Sequence, residues 1–436
     1  MNSSKSDPVE RSENIVLEGH IIDSLRLPKV LDEIIEHGAR YKILDFQIGV
    51  KHDDESFARI QVTAASEDEL AAVVERLQQH GANLESIEDA GVVIADRDGA
   101  FPTGFYSSTN LETEVRIDGR WLPVIHPEMD CGILIQDGTA RTLAMSDVRA
   151  GMQIVMRGLG IRVTPIVKPA PEERQTFEFM ASEISSEKPK ALLIEQLARQ
   201  MHAIRQAGKR ILWVAGPAVI HTGSAPDICA LIRAGYVQAL FAGNGVAAHD
   251  IESNMFGTSL GVHLEKGLPE EHGHEHHIRA INEIRRHGSF AAAIDAGVIS
   301  DGIVYQLVKS GAEYLLGGSV RDDGPLPEVV SDMLEVQRRL RELIWGPEGN
   351  DLVGMCIVVG TMLHGIATGN CLPASVPLVC VDINQATVTK LMDRGSAQSL
   401  GIITDVGLFI RQLAERLARS ELPEAGGDAA PGRATA

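Results

Sequence analysis

The first hundred residues carry two hydrophobic periods, which together predict a small module of strands and helices. Alternation in IVLEGHII, YKILDFQIGV and FARIQVTA predicts strands, and a further strand is predicted to end in GVVIAD. Residues 28–37 and 68–80 have the spacing of amphipathic helices, and both end in His-Gly-Ala, where glycine can adopt the left-handed conformation of a helix C-cap. The order is therefore βαββαβ, a duplicated βαβ half-unit of the kind found in ferredoxin-like and ACT-like modules.

The pattern changes twice after this module. Residues 101–164 contain short alternating runs broken by Asp-Gly and Arg-Gly turns, which predict a small β-rich unit. Beyond about residue 189, apolar strands alternate with helices, among them one opening at Ala247 and one over residues 326–344. Such alternation predicts a mostly parallel sheet covered on both faces. We therefore expect an α/β protein with domains at residues 15–98, 99–188 and 189–420.

Composition narrows the class of protein further. The 436 residues are 44% apolar and 23% charged, which suffices for sizeable cores, and the formal net charge is -20. Such a charge repels phosphate backbones and anionic lipid, so we expect no nucleic acid partner and no membrane partner. Five scattered cysteines without CxxC spacing indicate neither a disulfide framework nor a zinc finger. Since no apolar leader or spanning segment is evident, we expect a cytoplasmic protein.

The run MCIVVGTMLHGIATGN carries the most specific chemical signal. An apolar strand leads into a turn bracketed by Gly360 and Gly365, and the next strand ends at Asp382. Small residues let the backbone approach a pyrophosphate, and the carboxylate can hold adenosine ribose hydroxyls. The pattern favours NAD over NADP, because Asp382 would repel a 2′-phosphate. The alternative is an ordinary strand, turn and helix in which Asp382 caps the following residues and His364 packs in the loop.

Three other strand ends offer polar side chains at the same predicted edge. Ligands of open α/β sheets collect at the carboxyl ends of strands, so these residues are candidates for ligand contact. The alternatives are a solvated acidic helix start and a surface ion pair. The candidates are Asn244 and Gly245 with the run His249-Asp250-Ile251-Glu252, then Arg321 with Asp323, and finally Asp405.

The loop EEHGHEHH resembles a metal tract but lacks the companion ligands of a defined site. It holds His272, His274, His276 and His277, interleaved with acids. We therefore expect no metal and interpret the segment as a solvated loop near the substrate.

Eight blocks in the same order make the chain similar to a known family. FPTGFYSSTN, EMDCGI, FEFMASEISSEKP, IHTGSAP, AGNGVAAHDIE, GGSVRDDGPLP, VGTMLHGIATGN and VDINQATVTKL resemble blocks of the archaeal-type ornithine cyclodeaminases, also called LOR/SDH-like proteins. They also resemble the C-terminal part of the cyanobacterial arginine dihydrolase/ornithine cyclodeaminase fusions. The resemblance implies a ferredoxin/ACT-like N-terminal domain, a β-rich region and a Rossmann-like NAD domain akin to deoxyhypusine synthase.

The resemblance also implies a cofactor, a substrate and a reaction. NAD+ would accept a hydride from an amine-bearing carbon of L-ornithine and return it later, so that L-proline and ammonia form without net oxidation. Arg321 would meet the substrate carboxylate, and Asp250, Asp323 and His249 are the acid/base candidates. We also expect a homo-oligomer. The NAD contacts carried over by motif are Asn244, Gly245, Asp323, Thr361, Met362, Leu363, His364, Asp382, Asp405 and Val406.

Two other functions stay open at this point. An NAD-dependent oxidoreductase acting on lysine or a related amino acid would accumulate NADH, whereas the cyclodeaminase reaction is redox-neutral. An ACT-like amino-acid sensor with a regulatory NAD domain would bind its ligand without turnover.

Overall fold

The computed structural model describes residues 10–22, 25–49, 54–85, 88–164, 183–184, 190–263, 268, 275–320, 324–394 and 399–420. The chain divides into two compact units. The first is built from residues up to 182 together with 367–377 and 394–399, and the second from the rest of the chain. None of the described helices is both long enough and apolar enough to cross a lipid bilayer.

The first unit begins with a four-stranded antiparallel sheet and two helices. The strands are β1 (Arg11–Gly19), β2 (Arg40–Gln47), β3 (Ser56–Ala64) and β4 (Asn83–Leu84), and the helices are α1 (Arg26–Glu36) and α2 (Glu67–Gln79). The strand order is β2-β3-β1-β4. Alternate residues of β3 are buried, and Ile15 and Ile60 of the sheet join Val30 and Leu77 of the helices in one core.

A seven-stranded sheet follows in the same unit. Its strands are β5 (Val92–Ile94), β6 (Glu112–Ile117), β7 (Arg120–Ile125), β8 (Gly132–Gln136), β9 (Thr139–Leu143), β10 (Gln153–Val155) and β11 (Ile161–Thr164), in the order β11-β6-β7-β9-β8-β10-β5. A short 3-10 helix spans Met145–Asp147. The Asp-Gly turns at Gly119 and Gly138 form the hairpins, with positive φ at both residues of each turn.

One strand was assigned to the wrong sheet by sequence. GVVIAD was predicted to complete the first sheet, but its strand, Val92–Ile94, pairs with β10 in the second. The two-residue strand β4 takes the edge position beside β1 instead. Alternation identifies a strand, but its partner is set by packing that a local pattern does not contain.

The second unit is built on an eight-stranded parallel sheet. Its strands are β12 (Glu183–Ile184), β13 (Ile211–Ala215), β14 (Ala239–Gly243), β17 (Glu313–Gly317), β18 (Val329–Val330), β19 (Met355–Val359), β20 (Leu378–Asp382) and β21 (Ser399–Ile403). A separate hairpin pairs β15 (Thr258–Ser259) with β16 (Val262–His263). The sheet order is β12-β21-β20-β19-β13-β14-β17-β18, and every residue of β13 and β19 is buried. The predicted α/β class with a parallel sheet is confirmed.

Helices connect these strands, and two of them begin elsewhere than predicted. One starts at Asn244 rather than Ala247, directly after β14, and another starts at Met333, because residues 329–330 form β18. The helices are α3 (Lys190–Gln206), α4 (Ala218–His221), α5 (Ala225–Arg233), α6 (Asn244–Phe256), α7 (His276–His287), α8 (Phe290–Asp295), α9 (Ile303–Ser310), α10 (Met333–Trp345), α11 (Leu363–Cys371), α12 (Gln385–Arg394) and α13 (Val406–Ser420).

Candidate active site

The strand order of the second unit reverses its direction between β13 and β19. From β13 the chain moves outward through β14 and β17, then returns to β19 on the other side of β13 and moves outward through β20 and β21. The connections that leave β13 and β19 therefore diverge. Open parallel sheets bind their ligands in the crevice outside the carboxyl ends of the strands at such a switch point.

Two glycines allow the turns after β13 and β19 to touch. The N–H of Gly216 donates to the carbonyl of Val359 at 2.9 Å, and a Cβ atom on Gly216 would lie 1.9 Å from the carbonyl oxygen of Gly360. Gly360 has a φ of +61°, and a Cβ atom there would lie 2.9 Å from that of Ala218. A side chain at either position would push the turns apart, so the floor of the crevice is bare backbone.

A cavity of about 740 Å³ opens at the carboxyl ends of β13, β14 and β17. Its volume is in the range of small-molecule sites. No acidic side chain belongs to its wall among the residues that the structure describes. The polar residues of the wall are Asn244, His249, His277, Asn282, Arg285, Ser319, Thr361 and His364.

Helix α6 begins at the carboxyl end of β14 and forms part of this wall. Asn244 is buried, and its Oδ1 accepts a hydrogen bond of 3.0 Å from the N–H of Leu326, which fixes the side chain. A Cβ atom on Gly245 would lie 3.4 Å from Pro217. The structure therefore brings Asn244 and Gly245 to the same cavity as His249.

His249 and Glu252 form a hydrogen-bonded pair on one face of α6. Nδ1 of His249 lies 2.8 Å from Oε2 of Glu252, whose side chain is fully buried. The hairpin that follows supplies three more donors to the same carboxylate. Thr258 Oγ1 and the N–H of Gly261 reach Oε1 at 2.9 and 3.0 Å, and the N–H of Leu260 reaches Oε2 at 3.3 Å.

These hydrogen bonds keep Glu252 ionised despite its burial. Burial alone would raise the pKa of Glu252, but the hydrogen bonds from His249, Gly261 and Thr258 lower that pKa below its ordinary value. A charged carboxylate therefore faces the His249 ring.

Three more histidines surround this pair. The ring of His221 meets that of His249 edge-on, with centroids 5.0 Å apart, and burial and His249 together lower the pKa of His221. Nδ1 of His276 lies 2.9 Å from Thr258 Oγ1, and the ring centroid of His277 lies 6.2 Å from that of His249. Histidines from three separate sequence blocks thus converge beside the cavity.

Asp250, predicted as an acid/base group, does not line the cavity. Its buried carboxylate accepts hydrogen bonds from the N–H groups of Ile303 at 2.9 Å and Val304 at 2.8 Å, at the start of α9. A Cβ atom on Gly302 would lie 2.9 Å from this carboxylate. Burial raises the pKa of Asp250 to about 6. We conclude that Asp250 anchors α9.

Thr361 and His364 follow β19 and also reach the cavity. The His364 ring packs against Phe241 with centroids 4.6 Å apart, and burial lowers its pKa. Met362 and Leu363, between them, are exposed at the start of α11. Of the four predicted residues in this turn, two therefore line the cavity and two lie at the surface.

Asp382, Asp405 and Val406 lie at the ends of β20 and β21. Oδ1 of Asp382 accepts a hydrogen bond of 2.8 Å from the N–H of Asn384, and Oδ1 of Asp405 accepts one of 2.9 Å from the N–H of Leu408. Both carboxylates therefore cap the residues that follow, with one oxygen each. Val406 is buried against the Gly360 turn.

Several predicted residues lie outside the described part of the chain. They are Arg321, Asp323, His272 and His274, and the roles given to them stay predictions. Within the described ranges, no group of three or more His, Cys, Asp or Glu side chains is placed to hold a metal ion.

Sequence reasoning named Glu252 only as the last member of the run at residues 249–252 and did not name Asn282 or Arg285. A signal for Glu252 was present, because it stands three residues after His249 and that spacing places two side chains on one helix face. Asn282 and Arg285 lie on the face of α7 that meets the cavity. Which face of a polar helix meets a ligand depends on tertiary packing, so these two had no local signal.

Three family models match consecutive parts of the chain. Residues 12–111 match the LOR/SDH bifunctional enzyme conserved region, and residues 112–194 match the first region of the C-terminal part of arginine dihydrolase ArgZ-like proteins. Residues 195–413 match the Rossmann fold of that same C-terminal part. The Rossmann-like sheet predicted for this region is thereby confirmed.

Similar proteins span most of the chain. The ornithine cyclodeaminase of Methanocaldococcus jannaschii is 45% identical over 414 residues, which are 93% of this chain and 96% of that protein. The crystal structure of a conserved putative LOR/SDH protein from Methanococcus maripaludis S2 has a TM-score of 0.70 at 40% identity and covers 78% of this chain and 100% of its own.

A larger protein is similar as well. The ternary complex of AgrE with ornithine and NAD+ has a TM-score of 0.51 at 38% identity, over 94% of this chain and 58% of that one. AgrE of Nostoc is a bifunctional arginine dihydrolase/ornithine cyclodeaminase.

Proposed function

Because this chain belongs to the ornithine cyclodeaminase family, we propose that it converts L-ornithine to L-proline and ammonia with NAD+ as a recycled hydride acceptor. The observation that carries the proposal is the cavity at the switch point, where a histidine with a charged carboxylate partner lies beside the turns predicted to bind NAD+. The relatives named ornithine cyclodeaminase and the AgrE complex with ornithine and NAD+ support the same reaction.

The described residues around the switch point fit NAD+. Gly216 adds no side chain to the cavity wall, and the N–H groups at the start of α11, which follows β19, would be available to a pyrophosphate. Asp382 would accept the adenosine ribose hydroxyls, and the exposed side chain of Ile383 next to it offers an apolar surface to adenine. Bound there, NAD+ supplies a hydride acceptor that returns the hydride within the same turnover.

The cavity wall would hold the nicotinamide end. Asn244, Gly245, Thr361 and His364 line the cavity at the side of the switch point, and His364 with its lowered pKa is neutral there. The remaining predicted contacts would face the adenosine half. They are Met362, Leu363, Asp405 and Val406, whereas the predicted contact of Asp323 with NAD+ lies outside the described residues and stays a prediction.

Arg285 is our candidate for the substrate carboxylate. Arg285 lines the cavity, and its Nη1 donates a hydrogen bond of 2.6 Å to the carbonyl of Pro325, which orients the guanidinium. A planar guanidinium binds a carboxylate through paired hydrogen bonds. Arg321 stays a second candidate for this role. Each of the two ammonium groups of the substrate needs an acidic partner, and we propose Asp323 as the partner of one of them.

His249 is our candidate for the general base. An ammonium cannot release a hydride from its carbon until it loses a proton, so the reaction needs a base beside the substrate. His249 lines the cavity, and with its Nδ1 bonded to Glu252, Nε2 is the ring nitrogen left to accept that proton. The same group would return a proton to the departing amine.

We propose four further properties of the chain. The strand order β2-β3-β1-β4 supports a ferredoxin/ACT-like description of the N-terminal module. The net charge of -20 supports the absence of a nucleic acid partner, and five scattered cysteines without CxxC spacing support a cytoplasmic enzyme. A homo-oligomer remains our expectation.

One assay separates this function from the two alternatives. Purified protein is incubated with L-ornithine and a small amount of NAD+ relative to substrate, and proline, ammonia and NADH are quantified together. We expect equal amounts of proline and ammonia, many turnovers per NAD+ and no accumulation of NADH. NADH formed in step with product would instead identify an oxidoreductase, and ornithine binding without product would identify a sensor.

A further inference from the structure

Four hydrogen-bond donors converge on the buried carboxylate of Glu252. Thr258 Oγ1 and the Gly261 N–H serve Oε1, and His249 Nδ1 and the Leu260 N–H serve Oε2. Glu252 is 0% exposed, and burying a carboxylate is costly unless such partners compensate. An acid placed only to hold a hairpin would not need a histidine from a cavity wall among its partners.

We infer that Glu252 is a positioning residue that fixes the tautomer and orientation of His249. An ionised carboxylate has no proton to donate, so the nitrogen facing it must carry the hydrogen. That requirement sets His249 with its proton on Nδ1 and leaves Nε2 as the acceptor for a ligand in the cavity. The inference rests on the proposed function for its chemistry, but the tautomer itself is independent of any reaction.

A neutral glutamine in place of Glu252 would reverse the tautomer of His249. A glutamine side chain at position 252 has one oxygen, which accepts hydrogen bonds, and one NH2 group, which donates them. The N–H groups of Leu260 and Gly261 can only donate, and Thr258 Oγ1 is the donor in its bond to Glu252. When the glutamine oxygen faces Thr258 and Gly261, it accepts hydrogen bonds from two of these three donors. The NH2 group then faces His249 and requires an unprotonated Nδ1. His249 would switch its proton to Nε2 and lose its acceptor in the cavity.

A second set of contacts, here called an arm, reaches the Glu252 carboxylate through Thr258. Thr258 Oγ1 donates to Glu252 and lies 2.9 Å from Nδ1 of His276, so it accepts a hydrogen bond from that ring. The His276 ring in turn stacks on Phe256, with centroids 4.7 Å apart. This arm, which runs from Phe256 through His276 and Thr258 to Glu252, aligns Glu252 without touching the cavity-wall ring.

The charged and titratable groups that face His249 come from three helices. Glu252 is on its own helix α6, His221 comes from α4 and His277 from α7, with His276 connected through Thr258. Glu252 is the sole carboxylate in this described set. Its removal therefore changes both the hydrogen bond and the local charge at His249.

Kinetics of Glu252→Gln form the first test. We expect kcat for ornithine to fall on the order of 10²-fold or more, the range for loss of a general base, with the NAD+ affinity unchanged. The matched control is Glu283→Gln, which breaks a histidine–glutamate pair of the same type on α7, where Glu283 Oε1 lies 3.3 Å from His287 Nε2 and is partly exposed. The control should retain its kcat. A Glu252→Gln protein that is folded and has wild-type kcat would overturn the inference.

The histidine ¹⁵N NMR spectrum of the full chain gives a readout that needs no activity. We assign the His249 signals by their loss in His249→Gln and expect the Nδ1–H tautomer in the wild type, shifting to Nε2–H in Glu252→Gln. Thr258→Val, which removes one hydrogen bond and keeps the carboxylate, should retain Nδ1–H, with kcat reduced less than in Glu252→Gln. The Thr258→Val variant remains informative if the Glu252→Gln protein does not fold. A wild-type Nε2–H tautomer would refute the positioning role, whereas a wild type with the expected tautomer and no ornithine turnover would refute only the proposed function.

Discussion

At the scale of single residues, adjacent positions of α6 serve different purposes. His249 lines the cavity, whereas Asp250 is directed to the start of α9 and accepts two backbone N–H groups there. A helix turns by about 100° per residue, so neighbouring side chains face different surroundings. Helix α6 can therefore carry a reactive group and a structural anchor side by side.

Asp250→Asn should change how stability depends on pH. The native pKa of about 6 exceeds the ordinary value of 3.8, so the folded state binds this proton more tightly than the unfolded chain does. The resulting stability is fully present below about pH 3.8 and is lost as the pH rises through about 6. Asparagine does not titrate. The free energy of unfolding of the wild type minus that of the variant should thus fall by about 1.4 kcal/mol between about pH 5 and about pH 7.5.

Urea denaturation of both proteins at the two pH values measures this quantity. Carboxylates elsewhere titrate equally in both proteins and cancel in the difference. A difference that stays constant, or one that grows with pH, would mean that Asp250 is not strained by burial.

The sequence supported these residue roles unequally. The position of His249 at the cavity could be predicted, because His249 follows the end of a strand and the alternating pattern indicated a parallel sheet. The contacts of Asp250 could not be predicted, since nothing local reveals that the N–H groups of Ile303 and Val304 lie against it. Glu252 was named only within the run at residues 249–252. Its three-residue spacing from His249 could have indicated a pair, but its burial depends on the hairpin at residues 258–263.

At the scale of elements, α7 presents one face to the cavity. His277, Ile281, Asn282 and Arg285 line the wall, while Arg286 is exposed and is not part of it. Helical periodicity places these wall positions on a common stripe. The stripe has basic and amide groups and no carboxylate, which suits the carboxylate end of an amino acid.

Arg285→Gln should weaken substrate binding. Loss of a charge-assisted hydrogen bond of about 1.5–3 kcal/mol corresponds to an increase in KM for ornithine of roughly 10- to 100-fold. The contact is made in both the ground state and the transition state, so kcat should change much less. Steady-state kinetics at saturating NAD+ measure both parameters.

Arg286→Gln is the matched control, because it removes the same charge from the next position of the same helix. Its KM should stay near that of the wild type. Equal increases in the two variants would show that the effect is one of overall charge, and unchanged kinetics in Arg285→Gln would direct attention to Arg321.

Element boundaries were predictable only where a local rule controls them. Helix α10 begins at Met333 because Asp332 caps the N–H groups of Leu334 and Glu335. The spacing of Asp332 and Glu335 is a helix-start signal that the longer apolar pattern obscured. Residues 326–331 had helical spacing, but Val329 and Val330 pair with β17 instead. Tertiary pairing overrode the local period there.

At the scale of the whole chain, the strands on the two sides of the switch point carry different parts of the candidate site. The strands β13, β14 and β17 carry the cavity with His249, and the strands β19, β20 and β21 carry Asp382 and Asp405 at their ends. Thr361 and His364 follow β19 yet line the cavity, so they connect the two sides. A nucleotide laid across the switch would place its two ends in different surroundings.

That division predicts opposite effects for variants on the two sides. Asp382→Ala should raise the Kd for NAD+ roughly tenfold or more, because a charged acceptor to the ribose hydroxyls is lost, while turnover at saturating NAD+ stays near that of the wild type. His249→Gln should leave that Kd unchanged and lower kcat on the order of 10²-fold or more. Isothermal titration with NAD+ and kinetics with ornithine, carried out on both variants, give the four values. Unchanged NAD+ affinity in Asp382→Ala would show that the ribose does not bind at the end of β20. Weakened affinity in His249→Gln would mean that the nucleotide contacts the His249 side chain, which we assign to the substrate.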